Sequence, residues 1–442
     1  VPFMFLNFSR RTRLVWLSPK LWRRRAVFVA GGLLVGLAAV LFTEVATFVQ
    51  AEFQRLVDAR PYASLVVTPA GLALCTYLAQ RYVPNSQGSG IPQAIAARHL
   101  SDTKARGRLL SGRIAIGKIV LTLLGLLVGA SAGREGPTVQ VGSSIMHAMG
   151  STTLGRQRGL ILAGGAAGVA AAFNAPLAGI VFAIEELGRV FEPRTSSLVI
   201  STVIAAGLTS LALLGNYTYF GHTAASLPTL ADWVAVPVAG ISGGLLGGIF
   251  SRIVVLVAKG LPGRTGRWIK RYPMGFAAAC GFVIAGIGIL SHNTTYGTGY
   301  NEVRHLLDGT HPLPAGFGVL KMIATTLTAI SGIPGGLFSP SLAVGAGFGA
   351  NLAAALPQVP FGAVVLLGMV SYFTGVVQAP ITAFVIVMEM TDNHTMLVPL
   401  MAASVLAYGA SRLVCPKSVY HALAERFLHE ARLAEQRGKE PA

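Results

Sequence analysis

The acids set among apolar residues are the first candidates for chemistry. Glu135 stands inside Gly133-Arg134-Glu135-Gly136-Pro137, while Glu185, Glu186 and Glu389 close long apolar stretches. A carboxylate in such surroundings is costly and usually functional. Two further Gly/Pro-rich breaks resemble the one at Glu135: Gly88-Ser89-Gly90-Ile91-Pro92-Gln93 and Gly335-Gly336-Leu337-Phe338-Ser339-Pro340. In all three, glycines lead to a proline and then to an apolar stretch of helical length. Proline suits the first turn of a helix, where its missing N–H is not needed. Glycines let the preceding backbone turn sharply and approach a ligand. Each break therefore predicts a helix that begins within apolar surroundings, with unpaired N–H groups and a partial positive charge aimed at a small anion. A single break reads more simply as a kink or packing point; three of them, two repeat-related, favour a shared anion site. Glu135 at one such start is placed to occupy that site when charged and to leave it when protonated.

The elements that must position these residues are membrane helices. The chain has 442 residues, 53% of them hydrophobic and 12% charged, with mean hydropathy +0.62. Soluble domains carry about 25% charged residues. Met322–Met388 holds no Asp, Glu, Lys or Arg over 67 residues, and Gly159–Ile184 holds none either. A span needs about 20 apolar residues, so the first stretch predicts about three crossings. Further spans are expected near 26–48, 61–83, 114–131, 195–220, 233–257, 273–291 and 395–411, roughly ten in all. Disorder, coiled coil and collagen are excluded by the apolar composition and the lack of any heptad or triplet period. Cys75, Cys280 and Cys415 form neither a CxxC pair nor a disulfide framework. Gly240, Gly244 and Gly248 read as close packing within the subunit.

The net charge of +18 is concentrated beside the spans. Residues 1–25 carry Arg10, Arg11, Arg13, Lys20, Arg23, Arg24 and Arg25 without an acid, and the connection Arg98–Arg113 and the pair Arg156 and Arg158 are also basic. The positive-inside rule puts them in the cytoplasm, where they also draw anions to a vestibule. No nucleic-acid partner is expected, and no cleavable signal peptide. Enzyme readings fail on spacing. Ser131 sits in a GxSxG string that follows a membrane segment rather than a strand. His429-Glu430 has Leu433 where a zinc helix needs histidine, and Gly112–Lys118 is followed by Ile119 where a phosphate loop needs Ser or Thr.

The two halves repeat. Lys118, Thr122, Gly133, Pro137, Val141 and Gly142 recur 203 residues later as Lys321, Thr325, Gly336, Pro340, Val344 and Gly345. Ala175-Pro176 and Glu185 recur at a shift of 204 as Ala379-Pro380 and Glu389. Duplicated halves with broken helices are a transporter pattern, with the site at the repeat interface. Their symmetry makes Glu185 and Glu389 structural acids that cap or pair backbone groups. Glu186 has Met390 as its counterpart, and is the better proton-handling candidate. Adjacent helical residues point about 100° apart, so Glu185 and Glu186 face different surroundings.

At this point the sequence resembles the CLC family of chloride channels and chloride/proton exchangers, in its prokaryotic form. The resemblance rests on GSGIP at 88–92, GREGP at 133–137, NAPLAG…IEE at 174–186, GGLFSP at 335–340, APITAF…EMTDN at 379–393 and Tyr420. It implies an all-α polytopic membrane protein of two inverted repeats with broken, tilted helices. The expected divisions are a basic cytoplasmic segment (1–25), two membrane repeats (26–225 and 226–416), and a final helix with a short cytoplasmic tail (417–442). The tail is expected to leave no room for the paired nucleotide-sensing domains of many eukaryotic relatives.

By the same resemblance, the hydroxyls of Ser89 and Tyr420 hold a central anion, with Gly90, Ile91 and the N–H groups of Leu337 and Phe338 around it. Glu135 is then the external gate and proton carrier, and Glu186 the internal proton glutamate, which favours exchange over a passive voltage- or pH-modulated channel. Arg134 and Lys118 take supporting places, the lysine raising local anion affinity. Serine at 89 favours chloride, and Gln93 departs from the acid usual there. The implied setting is the bacterial inner membrane, with both termini cytoplasmic, a homodimer in the lipid bilayer, chloride and protons as substrates, and no cofactor or metal.

Overall fold

The computed structural model describes residues 19–150, 157–188, 193–309 and 313–437. Arg10, Arg11 and Arg13 of the basic amino-terminal segment, Arg156, and Lys439 of the tail lie outside the described residues. Every named element is a helix. In chain order they are α1 (Pro19–Ala59), α2 (Ser64–Tyr82), α3 (Ile91–His99), α4 (Thr103–Gly107), α5 (Gly112–Leu127), α6 (Glu135–Gly150), α7 (Gln157–Phe173), α8 (Pro176–Phe182) with a π-helical turn at Ala183–Gly188, and α9 (Pro193–Leu214). The second half continues with α10 (Ala235–Lys259), α11 (Gly263–Arg271), α12 (Pro273–Leu290), α13 (Tyr300–Asp308), α14 (Phe317–Ile330), α15 (Phe338–Ala355), α16 (Phe361–Val377), α17 (Pro380–Thr391), α18 (Leu397–Val414) and α19 (Val419–Arg437).

Among the described residues, seven helical segments are long and apolar enough to cross a membrane: Arg25–Ala59, Pro61–Tyr82, Thr103–Leu127, Ser197–Leu214, Leu230–Lys259, Pro273–Leu290 and Leu397–Val414. They match the seven separately expected spans one for one. The uncharged runs behave differently. Met322–Met388 falls across four helices, α14 to α17, and Gly159–Ile184 across two. Their helices are largely buried among neighbours, so their apolarity matches a protein interior as well as a lipid one. The long spans instead keep apolar side chains outward, among them Leu41, Phe48, Val66, Ile116, Phe282 and Val405. In lipid such a surface is the expected one.

Small residues set the interhelical spacing. A Cβ on Gly244 of α10 would lie 2.4 Å from the Ala407 carbonyl oxygen of α18, and one on Gly240 would lie 2.9 Å from Leu406 Cβ. Gly243 and Gly247 face α16 in the same way, at Ser371 and Tyr372. The glycine stripe of α10 therefore packs within the subunit, as its spacing suggested.

The halves also clasp each other reciprocally. The Glu185 carboxylate accepts hydrogen bonds from the N–H groups of Ile381 (3.1 Å) and Thr382 (2.6 Å) at the start of α17. The Glu389 carboxylate accepts from Leu177 (3.0 Å) and Ala178 (2.7 Å) at the start of α8. Each acid caps the helix start of the opposite half, where the dipole favours an anion. The exchange of equivalent contacts is what two-fold related halves produce. Glu185 and Glu389 are thus capping acids, in agreement with their symmetry in the sequence.

Candidate functional site

The three Gly/Pro breaks meet. Gly88 N–H donates to the Ile333 carbonyl (3.0 Å) and Gly335 N–H to the Gly88 carbonyl (3.1 Å). Gly133 and Gly336 exchange hydrogen bonds of 2.8 and 2.7 Å. These bridges pin the segments before α3, α6 and α15 against one another. Side chains would not fit there. A Cβ on Gly136 would stand 2.2 Å from Ser89 Oγ, and one on Gly336 3.0 Å from both the Gly133 carbonyl oxygen and the Gly136 nitrogen. Gly90 caps α3 with φ of +100°, a left-handed geometry that glycine adopts without strain.

Ser89 and Tyr420, 331 positions apart in sequence, lie close together here. Both hydroxyls are buried, and neither has a protein hydrogen-bond partner at normal geometry. Beside them α15 starts at Phe338, whose ring packs 5.9 Å from that of Tyr420. The N–H groups of Leu337 and Phe338 donate to no backbone carbonyl among the described residues. Ile91 is fully buried at the start of α3. Two hydroxyls and the open N–H groups of helix starts form a donor set without a full positive charge. Such a set suits a monovalent anion that must also leave.

Glu135 is fully buried at the first position of α6. One carboxylate oxygen accepts from the Ser339 hydroxyl at 2.6 Å and from Tyr219 at 3.5 Å, while the other has no partner. Its carboxylate therefore lies over the start of α15, competing for the donors an anion would use. Arg134, its neighbour, turns the other way and donates to the Thr43 carbonyl and the Thr47 hydroxyl of α1, at 3.1 and 3.0 Å. It anchors the break rather than facing the site.

Lys118 is fully buried on α5, and its ammonium donates to the Ser86 and Gly88 carbonyls at 2.7 and 2.6 Å. It clamps the loop that presents Ser89. Its repeat partner Lys321 holds the carbonyls of Thr295, Tyr296 and Gly297 at 2.8 to 3.2 Å. That second loop, Gly297-Thr298-Gly299-Tyr300, is the counterpart of Gly88-Ser89-Gly90-Ile91 and also starts a nine-residue helix from a left-handed glycine. Sequence reasoning did not pick it out, although both halves share GxG at a shift of 209. Gln93 explains its departure from an acid: its amide donates to the Asn85 and Gln87 carbonyls at 3.1 and 2.7 Å, bonds a carboxylate has no hydrogens to make.

Glu186 sits on the π-helical turn, facing away from Glu185. It is buried, and one oxygen accepts from Ser418 Oγ at 3.1 Å and meets His421 Nδ1 at 3.1 Å. Ser131, the serine of the GxSxG string, pairs with Thr325 Oγ1 at 3.0 Å and has no base beside it among the described residues.

Cavities approach this centre from both sides. One of about 940 Å³ reaches Ser89 and is flanked by Lys259, Lys270 and Arg426. Another of about 720 Å³ reaches Arg134 and Tyr219, the neighbours of Glu135. The first touches Gln80 and Pro84 at the end of α2, the second Asp58 before its start. A 19-residue helix is about 28 Å long, so the openings lie on opposite faces of the layer of helices.

Comparison with known proteins agrees with this geometry. The family model described as voltage gated chloride channel matches residues 70–412. The H(+)/Cl(-) exchange transporter ClcA of Vibrio vulnificus, in strains YJ016 and CMCP6, is 29% identical over 395 residues, covering 85% of this chain and 82% of that protein. Among solved structures, a slow cyanobacterial Cl-/H+ antiporter superposes with a TM-score of 0.79 at 24% identity, covering 94% of this chain and 99% of that one. A CLC-type fluoride/proton antiporter gives 0.76 at 22% identity, covering 91% and 98%. A eukaryotic CLC transporter gives 0.74 at 18%, covering 92% and 74%. With the family model spanning most of its length and its breaks assembled into one buried anion-suited centre, the chain belongs to the voltage-gated chloride channel (CLC) family.

Proposed function

We propose that the protein is a transporter, not an enzyme, that exchanges chloride for protons across a membrane. The observation that carries this reading is the position of Glu135, a buried carboxylate bonded to Ser339 at the start of α15, between two cavities and beside the unpartnered hydroxyls of Ser89 and Tyr420. Chloride enters past Lys259 and Lys270 and rests on Ser89, Tyr420 and the N–H groups of Gly90, Ile91, Leu337 and Phe338. Glu135, when charged, takes the anion's place above it. Protonation removes the charge, and the side chain then yields the position to chloride. Glu186 receives the proton on the other side.

The basic elements support an orientation. The connection Arg98–Arg113 and helix α11 follow α2 and α10 at the Ser89 opening, which makes that opening cytoplasmic by the positive-inside rule. Both termini then lie in the cytoplasm, and the membrane is the bacterial inner one. We take 26–225 and 226–416 as the two repeats. The working unit is a homodimer with a separate pathway in each subunit. The exposed apolar residues Leu177, Ile184, Ile381 and Val398 around the reciprocal caps support a buried face there.

The reading is tested with Glu135→Gln and Glu186→Val in liposomes under a chloride gradient. Both variants should keep chloride flux and lose proton movement. Proton pumping that survived in both would overturn the roles given to these acids. The same pair separates exchange from a passive channel, in which neither substitution has a proton flux to remove.

A further inference from the structure

The exchange reading leaves open how protons reach Glu186, whose side chain is only 2% exposed. Its nearest partners are Ser418, immediately before α19, and His421 on its first turn. Serine does not change protonation at neutral pH. Histidine does, and it exchanges protons through two distinct nitrogens. His421 Nδ1 lies 3.1 Å from Glu186 Oε1, its side chain is 19% exposed, and Nε2 makes no protein hydrogen bond among the described residues. The other flank is covered by Arg98, which donates to the carbonyls of Leu187 and Gly188 at 3.1 and 2.8 Å. Glu185 is committed to capping α17 and is no alternative carrier.

We propose that His421 is the relay residue that passes protons between the surrounding water and Glu186. The inference rests on the exchange reading and adds a residue to it. Each transfer balances within the pair. A hydronium ion protonates Nε2 of the neutral ring and is left as water, the Nδ1–H bond breaks, and that proton forms the O–H bond of Glu186, leaving a neutral ring protonated at Nε2. Rotation or tautomer exchange resets the ring. The charged groups around it are few. Glu186 faces it from the π-helical turn, and His99 and Arg98 of α3 are the nearby basic side chains, the latter turned to the Leu187 and Gly188 carbonyls. Lys417, just before α19, and Glu425 on it are paired with each other at 2.6 Å. Tyr420 is the preceding residue, so one helical turn holds both the anion's hydroxyl and the proton's relay.

The test measures chloride flux and chloride-driven proton flux in liposomes for the wild type, His421→Asn, His421→Gln and His421→Ala. Asparagine retains a hydrogen-bond donor toward Glu186 but cannot relay a proton. All three variants should keep chloride flux within about twofold while proton flux falls about tenfold or more, the order expected on removing a positioned proton donor. Imidazole added on the Glu186 side should restore proton flux in His421→Ala and not in His421→Asn. The wild-type dependence of proton flux on that side's pH between about 5 and 8 should flatten in each variant. A coupled wild type beside a His421→Asn of unchanged proton flux and pH profile overturns the relay alone. A wild type that moves no protons overturns the exchange reading and the relay with it. Loss of both fluxes in all three variants assigns the ring to structure and equally overturns the relay.

Discussion

Replacing Gly136 by alanine should weaken anion binding at least as much as it weakens the fold. Gly136 is the second residue of α6, a position where alanine is intrinsically better than glycine by about 1 kcal/mol. In place, however, the new Cβ would lie 2.2 Å from Ser89 Oγ, 2.9 Å from the Ser89 carbonyl oxygen and 3.2 Å from Gly336 Cα. An ordinary contact is about 3.5 Å, so the hydroxyl must withdraw by roughly 1 Å or rotate away. Rotation of a serine is cheap for the fold, and overpacking of this kind costs about 1–3 kcal/mol. For the anion the consequence is one lost charge-assisted hydrogen bond, about 1.5–3 kcal/mol, which is a tenfold to roughly 150-fold weaker chloride affinity. Chloride titration calorimetry on purified Gly136→Ala reads this directly. Gly286→Ala serves as control, because nothing lies within 4 Å of its Cβ. It should leave affinity unchanged and raise the melting temperature. A folded Gly136→Ala with wild-type chloride affinity would refute the placement of Ser89 Oγ on the anion.

Three other expectations follow from particular contacts. Lys118→Met removes both hydrogen bonds to the Ser86 and Gly88 carbonyls; the Gly88 carbonyl keeps the Gly335 N–H, while the Ser86 carbonyl left unpaired costs about 1–3 kcal/mol, so chloride affinity and melting temperature should fall together, and a drop in affinity alone would point to a direct charge effect instead. Glu389→Ala uncaps Leu177 and Ala178 and should cost about 1–2 kcal/mol of stability without altering the chloride-to-proton ratio. A changed ratio would give that acid a part in transport. Gly244→Val drives a side chain into the Ala407 backbone of α18 and should prevent folding of the subunit; a well-folded monomer would instead assign the glycine stripe to subunit association.

The long helices were legible because a lipid-facing span must be apolar over a fixed length, and composition alone records that. The uncharged runs say less about crossings, since a helix sheltered by protein is as apolar as one in lipid. α15 and α16 lie in such a run and are buried among other helices. The breaks at Gly88, Gly133 and Gly335 were legible because glycine and proline state what the backbone does locally. Partnerships across the fold were not. Nothing near Glu135 in sequence indicates Tyr219, and Lys118 gives no hint that it holds carbonyls 30 and 32 positions away. The loop at Gly297–Tyr300 escaped notice because its shift of 209 departs from the 203 of the other matches. Glu185 and Glu186 were correctly set apart, since adjacent helical residues must face different neighbours. Ser89, Tyr420 and Phe338 of the resemblance lie close together and Glu135 reaches the start of α15, whereas Arg134 turns to α1, and the transport roles rest on function rather than position.

The central claim is coupling, and one measurement addresses it most directly. Purified protein in sealed liposomes is given a chloride gradient and no proton gradient, with the membrane potential clamped by potassium and valinomycin, while external pH is followed. Exchange predicts protons moving opposite to chloride with no gradient of their own to drive them, so that a proton gradient builds and further movement runs uphill. Chloride flux with a flat pH trace would contradict the account, leaving Glu135 as the gate of a channel and Glu186 as a structural acid.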